Sequence, residues 1–288
     1  MYRTAIVLEG GGLRGVFSAG VVDCLMDNDI RLDCAIGVSA GACNTFAYVA
    51  GHRKYFKQCI RQSKNPMDSF YGIPQMIGSH RLVDLDKIFY DYTERYGFDF
   101  DDFMNSPMKW EMAATNLETG KADYLTTGDP DRARLIGKAS CSLPIITSPV
   151  EIDGKLYLDG GVADSIPIQR ALDLGYERVL VVLTRKKGNF SSVNDATKMI
   201  ISRLYADYPN FIRAAENRGT VYRQQVALCE KLEEEGKVII IRPTMQEVNR
   251  LESDEDELML SYYHGYTKTK EYISRLKEWS DKEVKNDR

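Results

Sequence analysis

Histidine is scarce in this chain. Three occur in 288 residues, at His52, His80 and His264, and no two are spaced to share a metal ion. No metal site and no cofactor are therefore expected, and a serine hydrolase of the Ser-His-Asp type would have few histidines to draw on. The six cysteines (Cys24, Cys34, Cys43, Cys59, Cys141 and Cys229) include no Cys-x-x-Cys pair. That usage fits free thiols in a reducing cytoplasm better than a disulfide frame. No run of about 18 apolar residues exists, so no membrane span is expected. The apolar start is too short for a secretory leader and is interrupted at Glu9. A net charge of −4 supplies no basic excess, which argues against a nucleic-acid partner. Repeats, low-complexity tracts and long linkers are lacking too. What remains is 43% apolar and 28% charged, the composition of a soluble globular protein. A single domain over residues 1–288 is expected.

The most informative stretch is Gly37-Val38-Ser39-Ala40-Gly41. A short apolar run enters it and a helical pattern, about 40–50, leaves it. Gly-x-Ser-x-Gly between strand and helix is the nucleophile elbow, a tight turn that lifts a serine hydroxyl to the top of a sheet. The plainer alternative is a strand-helix turn whose Ser39 merely caps the helix.

Upstream, Ala5-Ile6-Val7-Leu8 reads as a buried strand running into Gly10-Gly11-Gly12-Leu13-Arg14-Gly15, with helical spacing after it. This also fits the dinucleotide fingerprint, which calls for an acid about 20 residues on at the end of the second strand. The only acid near that strand, Asp33, precedes it. Amides aimed by glycines at a helix N-terminus serve an oxyanion equally well.

Residues 53–106 are polar, broken by Pro and Gly, and hold eleven of the aromatic residues. They read as a helical insertion that either walls an apolar pocket beside Ser39 or packs as a satellite cluster on the core. Next come a hairpin (110–115 and 122–126), a helix from about 131 to 139 with Asp129 or Pro130 at its start, and a strand ending at Asp159-Gly160-Gly161. A carboxylate at a strand end followed by glycines sits where α/β folds place working residues, although an Asp also commonly starts a turn. Residues 179–183 and 238–241 read as buried strands, and 194–206 and 210–235 as helices. The last segment opens with acids, carries Leu258, Tyr262, Tyr266, Ile273 and Leu276 on one face, and reads as a surface helix despite Gly265. Its acidic first turn disfavours binding to anionic lipid. Strands alternating with helices imply an α/β fold with a mostly parallel sheet flanked by helices.

Three motifs in order, Gly10-Gly11-Gly12-Leu13-Arg14-Gly15, Gly37-Val38-Ser39-Ala40-Gly41 and Asp159-Gly160-Gly161, resemble the patatin-like phospholipase family over roughly residues 4–185. The segments 114–120 and 139–157 are similar to it as well. One departure is Ser165, where many relatives carry Asn. The resemblance implies a three-layer α/β/α fold and a Ser-Asp dyad, with Ser39 as nucleophile and Asp159 as base. Gly10, Gly11, Gly12, Leu13, Arg14 and Gly15 would then form the oxyanion hole, and Gly37, Gly41, Gly160 and Gly161 would shape the elbow and the Asp loop. Arg14 would add positive charge or meet a head-group phosphate, unless it is salt-bridged on the surface. The expected function is hydrolysis of acyl esters in phospholipids or lysophospholipids by a cytoplasmic protein that touches membranes transiently. The alternatives are an acyl-binding protein with weak turnover, an esterase whose triad is completed by His264, and a nucleotide-binding oxidoreductase.

Overall fold

A computed structural model describes residues 2–62, 85–190, 194–250, 252 and 254–280. The sheet grows outwards from β1 (Thr4–Leu8), which lies between β2 (Cys34–Val38) and β7 (Arg178–Val182), parallel to both. β3 (Lys109–Asn116) continues the parallel set beside β2, and β8 (Val238–Ile241) beside β7. Three antiparallel strands complete the other end: β4 (Ala122–Leu125), β5 (Val150–Ile152) and β6 (Lys155–Asp159). The order is β5-β6-β3-β2-β1-β7-β8, with β4 also paired to β3.

Alternate residues of the parallel strands feed opposite cores, as a period of two requires. Ile6, Leu8, Leu180, Val182, Ile239 and Ile241 face one apolar layer, and Ala5, Val7, Val179, Val181, Val238 and Ile240 face the other. The first layer is closed by α1 (Gly15–Asp27) and α2 (Ala40–Ala50), the second by α6 (Ile168–Asp173) and α8 (Pro209–Glu234). This is the three-layer α/β/α arrangement expected from the sequence. Further helices are α3 (Tyr55–Gln62), α4 (Phe100–Met104), α5 (Pro130–Cys141), α7 (Asp195–Leu204), α9 (Glu255–Lys270) and α10 (Ile273–Ser280), besides shorter helical turns. None of the helices among the described residues is long and apolar enough to cross a membrane.

One sequence expectation needs revision. The C-terminal helix is not simply laid on the surface, because α9 crosses α1 at two glycines. A Cβ on Gly20 would strike the Tyr262 carbonyl, and one on Gly265 the Phe17 carbonyl, so both positions must lack a side chain for the backbones to approach this closely. The Tyr262 hydroxyl donates to Asp23 Oδ2 at 2.6 Å and that of Tyr266 to Asp27 Oδ2 at 2.9 Å, which locks the crossing. The sequence left two readings open for the insertion, and its described part takes the second, a cluster packed on the core; residues 63–84 lie outside the described residues. Four of its described aromatics, Phe89, Phe98, Phe100 and Phe103, gather around Phe46 with ring centroids 4.7–6.1 Å away. They pack the insertion onto α2 and α5 and do not wall the cavity beside Ser39. Burying several rings together outweighs what the surrounding polar residues suggest, because each ring removes a large apolar area from water.

Candidate active site

The sheet register brings Ser39 and Asp159 to one edge. Val38 pairs with Ala113 and Ala114 with Asp159, so the serine and the carboxylate leave strands on either side of β3 at nearly the same level. Beyond β1, Gly10, Gly11 and Gly12 turn across the same edge and line one cavity with Ser39, Asp159 and Gly161.

Ser39 adopts φ 55° and ψ −124°, a costly conformation for a residue with a side chain. It stands at the N-cap of α2, yet its hydroxyl makes no capping bond, so the plain capping role is not the one it plays. Its N–H donates to Ser140 Oγ at 3.0 Å, its carbonyl accepts from the N–H of Ala42 at 2.8 Å, and these contacts hold the strained turn. The flanking glycines are steric necessities. A Cβ on Gly37 would fall on Thr45 Oγ1 and the Gly41 carbonyl, and one on Gly41 would fall on the Leu8 carbonyl. A Cβ on Gly10 would sit 2.9 Å from Ser39 Cβ, so the glycine turn lies directly against the nucleophile.

Asp159 is only 4% exposed. Its Oδ1 accepts from the Gly161 N–H at 2.7 Å, while Oδ2 is buried without a conventional hydrogen bond. Burial raises the carboxyl pKa above its usual value. The nearby Ser39 hydroxyl, the Arg218 charge, the Gly161 N–H and the Arg250 charge oppose that rise without cancelling it. The loop is fastened at several points. The Asp159 N–H donates to the Ser142 carbonyl at 2.6 Å, and the Thr115 hydroxyl donates to the Asp159 carbonyl at 2.8 Å. Ser165, which departs from the usual Asn, donates from Oγ to the Gly161 carbonyl at 2.8 Å and so braces the same loop. Gly160 is needed because a Cβ there would strike the Ala113 carbonyl.

The six-residue oxyanion expectation is too broad. Gly10, Gly11 and Gly12 face the cavity, and their N–H groups have no hydrogen-bond partner among the described residues. Leu13 donates its N–H to the Arg250 carbonyl at 3.2 Å, and Gly15 donates to the carbonyls of Gly12 and Leu13. Those two amides are already engaged, and Leu13, Arg14 and Gly15 do not line the cavity. Nor is Arg14 salt-bridged on the surface. It is half-buried with Nε unpartnered, and burial together with the charges of Arg185 and Arg250 lowers its pKa to about 10.

The cavity holds about 500 Å³. Beyond the polar end, Leu143, Pro144, Ile145, Ile146, Val162, Ile200, Ile201 and Ala215 give it an apolar wall. Ile145 holds φ 74°, a strained value for a β-branched residue, with its N–H donating to the Tyr205 hydroxyl at 3.3 Å. Sequence reasoning did not anticipate Arg218 or Arg250 in this lining. It also missed Ser140 and Thr115 as supports, although both lay in stretches already noted as family-like.

Two other expectations meet their outcome here. His264 sits away from this cavity, with Nε2 3.0 Å from Thr244 Oγ1 and its ring edge-on to Phe17. Asp33, the only acid near β2, accepts from the Thr4 N–H at 2.7 Å at the opposite end of β1 from the glycine turn, where it could not reach a ribose held there.

A family model for patatin-like phospholipase matches residues 6–172, more than half of the chain. The chain belongs to the patatin-like phospholipase family. A second family model, a domain of unknown function, matches residues 208–281. Among curated proteins the chain is similar to YjjU of Escherichia coli K12, itself uncharacterized, at 29% identity over 63% of this chain and 52% of that protein. An uncharacterized NTE family protein of Mycobacterium tuberculosis is 26% identical over 58% of this chain and 44% of its own length. Lysophospholipase NTE1 of Meyerozyma guilliermondii is 28% identical over 67% of this chain and 13% of that protein. The chain thus spans about half the length of these bacterial relatives and far less of the fungal one. Among solved structures, VipD from Legionella pneumophila aligns over 95% of this chain and 67% of its own, with a TM-score of 0.49 and 12% identity.

Proposed function

We propose that this patatin-like protein is a serine acyl-ester hydrolase that removes acyl chains from phospholipids or lysophospholipids through a dyad of Ser39 and Asp159. The observation that carries the reading is a buried carboxylate oxygen, Asp159 Oδ2, with no hydrogen-bond partner among the described residues, sharing a cavity with a strained serine that caps nothing. Asp159 takes the proton of Ser39 Oγ as that oxygen attacks the ester carbonyl. The oxyanion forms against the N–H groups of Gly10, Gly11 and Gly12. Collapse expels the alcohol, which recovers the proton from Asp159 and leaves an acyl-Ser39 ester. Asp159 then draws a proton from water, whose oxygen attacks the acyl carbon, and collapse releases the carboxylic acid as Ser39 Oγ leaves and takes that proton back from Asp159.

An ordinary carboxylate, near pKa 4, is a weak base for an alcohol. Burial offsets part of that weakness by making Asp159 more basic. The amides supply the rest, each donor of this kind being typically worth about 3–4 kcal/mol in the transition state. The apolar wall suits an acyl chain. Met199 at 73% exposure, Ile200 at 46% and Leu204 at 59% put apolar side chains outward on α7, the helix whose Ile200 lines the cavity, which fits brief contact with a lipid surface.

The test is a panel of phospholipids and lysophospholipids with products read by mass spectrometry. Wild type is expected to release fatty acid, and Ser39→Ala and Asp159→Asn to release none above background. Release that persists in folded Ser39→Ala would overturn the assignment.

A further inference from the structure

Arg218 and Arg250 lie in the segment matched by the domain of unknown function, outside the catalytic motifs, yet both line the cavity that holds Ser39. Arg218, on α8, donates from Nε to the Gly161 carbonyl of the Asp loop. Arg250 is anchored through its backbone, whose carbonyl accepts the Leu13 N–H of the glycine turn, and its side chain stays exposed. Arg14, whose Nε is buried with no partner among the described residues, and Arg185, only 8% exposed, lie near enough to add their charges.

Burial lowers the pKa of Arg14 and of Arg218, and the nearby charges of Arg185 and Arg250 lower both further. Among the described residues none of the four forms an ion pair, whereas Arg170 pairs with Glu111 at 2.7 Å and Arg242 with Glu230 at 3.1 Å. Two carboxylates share their surroundings. Glu9 is buried and accepts the Thr184 N–H at 2.6 Å, and Asp159 faces Ser39; burial raises the pKa of both. Four cations against these two carboxylates leave surplus positive charge beside an apolar channel. Like charges gathered without counter-ions are costly to fold, and an anion entering the cavity relieves that cost.

We infer that Arg250 and Arg218, backed by Arg14 and Arg185, form a phosphate subsite that receives the phosphodiester of the lipid while its acyl ester lies at Ser39. Planar guanidinium groups suit this task because they can grip phosphate oxygens in pairs. The segment of unknown function then supplies selectivity to a catalytic core that lies elsewhere in the sequence. The inference rests on the ester-hydrolase reading for its substrate, but not for the binding of an anion.

The experiment compares kcat/KM on a lysophospholipid with that on a monoacylglycerol of the same chain, which carries the ester without the phosphate. Arg250→Gln is expected to lower the ratio of the two at least tenfold, mainly through KM on the lysophospholipid. Arg250→Lys should keep an intermediate ratio, and Arg242→Gln, which removes an arginine already paired with Glu230, should leave it unchanged. An equal fall on both substrates, or no change in the ratio, overturns the subsite. Calorimetry on Ser39→Ala separates this inference from the reading beneath it, with glycerol 3-phosphate and inorganic phosphate as probes. Binding that is lost in Ser39→Ala/Arg250→Gln upholds the anion site even if no ester is cleaved. Inorganic phosphate binding as tightly as lysophospholipid would assign the site to free phosphate and overturn the lipid subsite.

Discussion

Replacing Asp159 by Asn should destroy activity and stabilise the protein, and the two effects have one cause. The amide is nearly the same shape, and its oxygen can keep the 2.7 Å bond from the Gly161 N–H. It cannot take a proton from Ser39, so turnover should fall by about 10²–10⁴, the usual range for a positioned general base. The stability argument follows from burial. Because the folded-state pKa of Asp159 is raised, the folded protein holds this proton more tightly than the unfolded chain does. That difference costs nothing well below the ordinary carboxylate pKa near 4, grows as pH rises through it, and is complete above the folded value. The opposing charges of Arg218 and Arg250 are already part of the net direction. Each unit of the rise corresponds to about 1.4 kcal/mol, or roughly 2–4 °C in Tm for a chain of this size. Scanning fluorimetry should therefore find Asp159→Asn melting higher than wild type at pH 8, with the gap shrinking towards pH 4. An Asn variant that melts lower at pH 8, or keeps more than a tenth of the wild-type turnover, would refute the reasoning.

Four further outcomes follow from the geometry. Gly10→Ala places a methyl group 2.9 Å from Ser39 Cβ and should cut kcat about 10²–10³-fold by displacing an oxyanion donor, with a change of only a few degrees in Tm; an unaltered kcat would take Gly10 out of the oxyanion hole. Gly265→Ala should force α9 away from α1 and cost about 1–3 kcal/mol in a urea titration, with the pH dependence of activity unchanged. His264→Gln should leave turnover within twofold of wild type, since His264 contacts Thr244 and Phe17 and does not line the cavity; a hundredfold loss with the fold intact would revive the triad. Met199→Glu should slow hydrolysis of vesicle lipid more than that of a dispersed aryl ester, and equal slowing would remove α7 from any lipid contact.

Much of this architecture was legible in the sequence for physical reasons. Parallel strands buried on both faces read as short continuous apolar runs, and β1, β2, β7 and β8 all do. Gly37, Gly41 and Gly160 were legible because close backbone contacts leave room for no other residue. Asp129 was readable as a cap, and it does accept the Arg132 N–H at 2.7 Å.

The cavity lining was not legible. Arg218 lies on a helix rich in charge, and nothing local distinguishes the one arginine that turns towards Gly161 from those facing solvent. Arg250 is placed by a backbone hydrogen bond to Leu13, a contact with no side-chain signature. The aromatic richness of the insertion was visible, but composition does not say which neighbour the rings will meet. Phe46, on α2, collected them. Gly265 made sense only opposite α1, because a helix crossing is a property of two segments and neither alone reveals it.

The dyad is tested most directly by trapping the acyl-enzyme. Wild-type protein quenched in acid during turnover of a slow acyl ester, then digested and analysed by mass spectrometry, should carry the acyl mass on the peptide containing Ser39. Asp159→Asn should carry little or none after the same interval. An acyl group on any other residue, or undiminished acylation of Asp159→Asn, would contradict the account.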